Sequence, residues 1–530
     1  MTLRQLNVPS LDPEILLHQA LTWYHAESYD RAETGFREVL AADPSNADAI
    51  CHLGLIAHMR HDGKAAERAI RSAIALEPGR SQFHVNLAAI LIAQGDHDGG
   101  ISAYRDAIAM HPDHVGAHAG LVFAGDLHPG MPSQQRLADR RALNARHYAA
   151  LTAMAEPHNP DRDPERPLRV GYVSADFRFH SASTVFSIPI LNHTDAVIPY
   201  AYYQKVAPDD PVTDAFKARI PNWVEVRYLE DDALAQRIRA DQIDILVDLS
   251  GYSAGHRVGA MARKPAPIIA TGWGHVTGIG IDAVDHILAD DYSIQAKHRQ
   301  FYHEQPVSLP CVVSYLPHGV YPQVAEPPSR TKGYVTFGYL GRARKTSAAT
   351  WAAWAQILRR VPNSRLILKA GEYDDPTYRR HVETAFRAVG VDLGRVDIRT
   401  GTPQFQHYST YGEVDIALEP FPPGGGVTTL EGLMMGVPHV ALAGEYINAR
   451  IASSILRTAG LYSCVTETVD DYVQRAVEMA AAPRSIQSRI EVREALFRSV
   501  ICDPVRYTEG VERAYREMWH LWLDRQRGAL

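Results

Sequence analysis

The chain has 530 residues, with 54 basic against 61 acidic side chains and a formal net charge of −7. That length exceeds what one core supports and predicts about three domains. The acidic balance speaks against a bulk nucleic-acid binder, which shows a basic surplus. Met1 to Ser10 lack the basic-then-apolar pattern of a signal peptide. No apolar run reaches the roughly 18 residues needed to span a bilayer. Cys51, Cys311, Cys464 and Cys502 are scattered, with no CxxC and no zinc spacing, so a reduced, cytoplasmic setting is expected.

The first quarter is periodic. Pro44, Pro78 and Pro112 stand 34 residues apart. Ala32, Ala66 and Gly100 recur with that step, as do Phe36, Ile70 and Tyr104, then Val39, Ala73 and Ala107; Leu53 and Gly54 return as Leu87 and Ala88. Small residues at fixed places let two helices approach, large apolar ones fill the gap, and each proline ends the second helix of a pair. This register resembles the tetratricopeptide repeat, with copies starting near Pro13, Ala47 and Ser81 and a degenerate fourth from Val115, carried by Ala117 and Leu121. Such arrays form concave surfaces that bind peptides or protein partners. The module is expected over residues 1–130. A helical transition and linker over 131–166 should follow, ending in the polar, proline-rich run from His158 to Pro167.

Beyond Pro167 short apolar strands alternate with amphipathic helices. Leu168 to Val173, Ile243 to Leu249 and Asp285 to Ala289 are predicted strands of a first lobe, residues 167–328. After the loop Pro322 to Lys332 the pattern restarts in a second lobe, residues 329–500. Its predicted strands are Tyr334 to Leu340, Arg365 to Lys369, Val396 to Arg399, Val414 to Leu418 and His439 to Leu442; Thr350 to Arg360 and Tyr378 to Val389 are predicted helices. A terminal segment, 501–530, holds a helix from Arg506 to Leu523 with a broad apolar face of Tyr507, Val511, Tyr515, Met518, Trp519 and Trp522. The expected fold class is α plus α/β, a helical array followed by two doubly wound lobes. Ligands on such sheets bind beyond the carboxyl ends of the strands.

The most informative stretch runs from Glu419 through Pro420-Phe421-Pro422-Pro423-Gly424-Gly425-Gly426-Val427-Thr428-Thr429-Leu430-Glu431 to Pro438, directly after a predicted strand. Three glycines let the backbone approach a ligand closely. Two threonine hydroxyls follow at a predicted helix N-terminus, where free N–H groups and the helix dipole favour an anion such as a diphosphate. Glu431, about a turn further on, is placed to accept hydrogen bonds from ribose hydroxyls.

With that string on the page, nearly the whole chain resembles the O-linked N-acetylglucosamine transferase family, which joins tetratricopeptide repeats to a two-lobed transferase. The resemblance is also carried by Val170 to Phe177 with His180, Ile245 to Tyr252, Lys264 to Ile268, Phe337 to Lys345 and the tail Tyr507 to Arg513. It implies two Rossmann-like lobes of the GT-B type, UDP-N-acetylglucosamine as donor, inversion at the anomeric centre and no metal or other cofactor. Lys345 matches the family lysine on the leaving diphosphate. Gly425, Gly426, Val427, Thr428 and Thr429 would hold the phosphates, and Glu431 stands where the family has an acidic residue on ribose. His407 and the backbone near Thr402 fall at the uracil pocket. His180 matches a histidine lining the sugar and acceptor side, a candidate base. Arg342, grouped with the donor-binding residues, replaces an amide-bearing residue of the family. Gly272-Trp273-Gly274-His275-Val276-Thr277 departs from the usual Trp-Leu-Gly-Tyr-Pro-Gly run. The resemblance therefore speaks to the diphosphate and leaves sugar and acceptor open.

Metal independence has its own support in the sequence. Asp-x-Asp pairs occur at Asp96/Asp98, inside the repeats, and at Asp161/Asp163, in the linker, not at the end of a transferase strand. The expected function is transfer of N-acetylglucosamine to an acceptor hydroxyl, with a protein serine or threonine bound through the repeat groove as the favoured acceptor. The alternatives are a UDP-sugar-binding scaffold with little turnover and a transferase for another hexose.

Overall fold

The computed structural model describes residues 12–528. Met1 to Ser10, where the sequence has no signal-peptide pattern, lie outside the described residues. The chain divides into two compact units, one running to Ala124 and including Glu372–Val382, the other made of the remainder.

The first unit is the repeat array: α1 (Pro13–His25), α2 (Tyr29–Ala42), α3 (Ala47–Met59), α4 (Gly63–Leu76), α5 (Ser81–Ala93), α6 (His97–Met110) and the start of α7 (Val115–Leu127). The predicted starts at Pro13, Ala47, Ser81 and Val115 each open a helix. Ala32, Ala66, Phe36, Ile70, Val39, Ala73 and Ala107 have no accessible surface. Small residues are required where helices touch: a Cβ on Gly100 would lie 2.4 Å from Ile92 Cγ1, and one on Gly120 2.5 Å from the Tyr104 ring. Caps recur with the same step, since Asp62 accepts from Ala65 N–H and Asp96 from Gly99 N–H, each at 2.9 Å. The later segment joins this unit through Asp375, whose carboxylate accepts from Gly63 N–H at 3.1 Å.

The second unit holds both lobes. The first lobe has β1 (Leu168–Ser174), β2 (Val197–Tyr203), β3 (Asn222–Glu225), β4 (Ile245–Asp248), β5 (Ile268–Thr271), β6 (His286–Ala289) and β7 (Gln305–Ser308). They form one parallel sheet in the order β3-β2-β1-β4-β5-β6-β7. The second lobe has β8 (Thr336–Tyr339), β9 (Arg365–Lys369), β10 (Val396–Arg399), β11 (Ile416–Leu418), β12 (His439–Leu442) and β13 (Val465–Thr466). Its parallel sheet runs β10-β9-β8-β11-β12-β13. In each sheet the strand order reverses once, between β1 and β4 and between β8 and β11, so a ligand crevice opens beyond those carboxyl ends. The lobes are Rossmann-like and the fold is of the GT-B type.

Five strands were not marked by the sequence pattern. β2 and β7 each contain a proline, Pro199 and Pro306, and β3, β5 and β13 are four residues or shorter.

The helix after the second sheet, Pro504–Gln526, packs on the first lobe rather than on its sequence neighbours. Tyr515 Oη lies 3.0 Å from Tyr172 Oη on β1, whose own Oη is 2.6 Å from His193 Nε2. Trp273 Nε1 donates to Tyr507 Oη at 3.0 Å, and that hydroxyl donates to Cys311 O at 2.9 Å. The apolar face seen in the sequence thus closes the core of the first lobe.

Candidate functional site

The loops that leave β8, β10 and β11 meet at one end of the second sheet. After β8 the chain turns through Arg342, which is exposed, into a short turn ending at Lys345. Lys345 Nζ donates to Gly424 O at 2.8 Å. Burial and the neighbouring Arg342 charge push its pKa down to about 8. The ammonium therefore stays charged at neutral pH while held over the glycine loop.

That loop is organised by Glu419, a buried residue at the end of β11 that sequence reasoning left without a role. Its carboxylate accepts from Gly425 N–H at 2.8 Å and from Thr429 Oγ1 at 2.6 Å, with His439 Nε2 3.6 Å away. Two members of the expected phosphate-holding segment are thus turned inward. Gly425 N–H and the Thr429 hydroxyl brace the loop, and both residues are buried. Gly426, Val427 and Thr428 keep accessible surface at the start of the helix Val427–Met434, where Gly426 has no capping side chain. The accessible edge of this helix start is those three residues, next to the Gly424 carbonyl that receives Lys345. The acidic residue closing β11 was the available signal for Glu419. A carboxylate before a glycine run often binds its own loop's N–H groups.

His407 lies on the helix Gln404–Thr410 and Glu431 on the helix Val427–Met434. The structure brings them together, His407 Nε2 to Glu431 Oε2 at 3.4 Å. Tyr411 ties the same helices, its hydroxyl donating to Thr428 O at 3.1 Å. Thr402 is exposed just ahead of the histidine helix.

From the first lobe, the loop after β1 contributes His180. Its Nδ1 is 3.3 Å from Asp176 Oδ1 and 3.2 Å from Ala182 N. Burial lowers its pKa, opposed by Asp176 and helped by Arg178 and by Arg342 of the other lobe. The Arg342 charge thus acts on His180 from the other lobe. Ala182 N–H donates to Nδ1, so the neutral ring carries its proton on Nε2.

A buried network supports the glycine loop from outside. Arg140 donates to Asp126 at 2.6 and 2.8 Å, and Thr277 Oγ1 donates to Asp126 at 2.6 Å. His275 Nε2 sits 2.7 Å from the Thr277 hydroxyl. From the second lobe Tyr446 Oη donates to Thr277 O at 2.8 Å and Asn448 Nδ2 to Asp126 O at 2.5 Å. Asn448 O accepts from Gly424 N–H at 3.0 Å. The unusual Gly272 to Thr277 run is thereby linked to Gly424, the residue that receives Lys345. No local pattern marks the contact between Asp126 and Asn448, which lie 322 positions apart.

Three of the four carboxylates in the Asp-x-Asp pairs serve backbone. Asp96 caps α6, and Asp161 and Asp163 accept from the N–H groups of Asp163 and Glu165 at 3.1 and 2.9 Å.

Comparison with known proteins bears on the whole arrangement. The model of glycosyl transferase family 41 matches residues 138–318 and 331–511, and a tetratricopeptide-repeat model matches 53–115. A probable UDP-N-acetylglucosamine–peptide N-acetylglucosaminyltransferase SPINDLY of Hordeum vulgare is 33% identical over 390 residues, 72% of this chain and 41% of the relative. A protein of the same description from Arabidopsis thaliana is 32% identical over 365 residues, 68% of this chain and 40% of its own length. The chain thus spans about two fifths of these curated relatives. A solved mutant of Thermobaculum terrenum O-GlcNAc transferase superposes with a TM-score of 0.90 at 30% identity, covering 99% of this chain and 100% of that one.

Proposed function

The chain belongs to glycosyl transferase family 41, and we propose that it transfers N-acetylglucosamine from UDP-N-acetylglucosamine to an acceptor hydroxyl, with inversion and without a metal. The carrying observation is the Lys345 ammonium held 2.8 Å from Gly424 O above the open start of the helix Val427–Met434. A diphosphate there meets helix N–H groups and a cation together. The His407–Glu431 pair at 3.4 Å lies on the flanking helices and suits a ribose and its base. The acceptor oxygen attacks the anomeric carbon as the bond to UDP breaks. His180, on the loop after β1 of the first lobe, is the candidate base for the acceptor proton. Lys345 and the helix start hold the charge that develops on the leaving diphosphate, the work a cation does elsewhere. The use of Asp96, Asp161 and Asp163 as backbone acceptors supports that reading.

The titles of the relatives name a peptide acceptor, and the repeats are a surface suited to polypeptide. We therefore favour protein serine or threonine, recruited through the repeat groove. Four free thiols suit a reducing, cytoplasmic setting. No helix among the described residues is long and apolar enough to cross a membrane.

The test is incubation of the full chain with UDP-N-acetylglucosamine, UDP-glucose and UDP-galactose beside a cell lysate, with and without EDTA, followed by intact-mass analysis. Addition of N-acetylhexosamine to polypeptides, unaffected by chelator, is expected. Preferred transfer of a plain hexose would replace the sugar assignment, and tight UDP binding without transfer would make the chain a UDP-sugar-binding scaffold.

A further inference from the structure

Lys369 is the last residue of β9 and is 3% exposed. A buried ammonium ordinarily pairs with a carboxylate. Among the described residues this one has no ion pair. Its nearest acidic influence, Glu413, is held by Arg399 at 2.7 and 2.9 Å. Lys369 Nζ instead donates to two hydroxyls, Thr402 Oγ1 and Thr410 Oγ1, each at 2.7 Å.

Those threonines bracket the helix Gln404–Thr410 that carries His407. Thr410 spends its own proton on Gln406 O at 2.9 Å, so its lone pair faces the lysine. One ammonium therefore clips both ends of the short helix and sets His407 against Glu431. A neutral donor would serve as a clip alone. Two of the three N–H bonds are used, and Thr402 stands at the solvent side. A positive charge is thus retained beneath Thr402, the exposed residue just ahead of the helix that carries His407.

We propose that Lys369 is a specificity-determining residue for the nucleobase, selecting uracil, whose exposed edge carries two carbonyl acceptors, over cytosine, whose amino group points a donor at the same place. The inference rests on the proposed reading of Thr402 and His407 as the base pocket. A fixed cation attracts a carbonyl oxygen and repels an amino group, so discrimination comes from both signs.

The experiment is calorimetry of the full chain with UDP, CDP and ADP for the wild type, K369M, K369R and T402V, with circular dichroism to check folding. A hydrogen bond to a charged group is worth about tenfold or more in affinity, so the wild type should bind UDP at least about tenfold better than CDP. K369M should bring UDP and CDP to within about twofold of each other, K369R should restore most of the preference, and T402V, on an exposed residue, should narrow it. A folded K369M that keeps the wild-type UDP to CDP ratio overturns the proposal, whatever its absolute affinity, because a purely structural clip weakens both alike. If K369M does not fold, an unchanged ratio in T402V overturns it equally. Equal binding of UDP, CDP and ADP by the wild type would instead overturn the base-pocket reading on which the inference stands.

Discussion

Lys345 is charged at neutral pH in spite of its surroundings, and its variants separate binding from turnover. The cation interacts more strongly with the departing diphosphate than with the intact donor, so Lys345→Ala should lower turnover about a hundredfold, roughly 3 kcal/mol, with a smaller loss of UDP affinity. Steady-state rates beside UDP calorimetry check this; unchanged turnover in a folded variant removes the lysine from the mechanism. The pH dependence follows from the same shift. The folded pKa of about 8 lies below the ordinary 10.5. Below pH 8 the lysine is charged folded and unfolded, and the fold bears the full cost of enclosing it. Between 8 and 10.5 the unfolded chain holds the extra proton, so this lysine's penalty is relieved as pH rises. UDP affinity should move the other way, falling as the pH passes 8, and Lys345→Met should flatten that profile. The same variant should melt higher than wild type at pH 7, by up to roughly 3 kcal/mol less the lost Gly424 bond.

At the scale of elements, the glycine loop stands on Glu419 and the first lobe on the terminal helix. Glu419→Ala leaves Gly425 N–H and the Thr429 hydroxyl buried without an acceptor. It should cost about 2–4 kcal/mol of stability and abolish UDP binding before the chain unfolds. Chemical denaturation and UDP titration together are the check, and retained UDP affinity would show that the loop holds itself. In the terminal helix Trp519 is fully buried, with the Arg166 guanidinium 4.8 Å from its ring centre and its Nε1 3.3 Å from Asp163 O. Trp519→Ala should destabilise by about 3–5 kcal/mol. The loss should show in the first lobe, read by hydrogen exchange at β1, where Tyr172 meets Tyr515. The sequence showed that this helix had an apolar face to bury, through its recurring aromatic residues. It did not show where, since docking on a strand over three hundred positions earlier leaves no local period.

For the molecule as a whole, the second unit is held by the buried Asp126–Arg140 pair. Both side chains are buried, so removing one partner leaves an uncompensated charge worth about 3–5 kcal/mol. Asp126→Ala should lower the melting temperature accordingly. Asn448→Ala, which cuts only the bond to Asp126 O, should leave the melt near wild type and still weaken UDP binding through Gly424. Equal UDP affinity in a folded Asn448→Ala protein would confine the network to stability.

The repeat register, the apolar strands flanking both switch points and the glycine string were all legible in the chain, because each is a pattern of neighbours. The 34-residue step reports helix contacts made within one repeat length, and strand runs such as Ile245–Asp248 report burial on both faces. The string Glu419 to Glu431 marked the anion edge, and His407, Lys345 and Glu431 came from family resemblance to positions that the fold then gathers at one sheet end. What the sequence could not decide is which polar groups answer one another: Glu419 with Gly425 and Thr429, Lys369 with Thr402 and Thr410, Asn448 with Asp126. A buried donor or acceptor is satisfied by whatever lies beside it in space. That neighbour is set by how the parallel strands order themselves and where the connecting loops cross, so only the tertiary structure determines it.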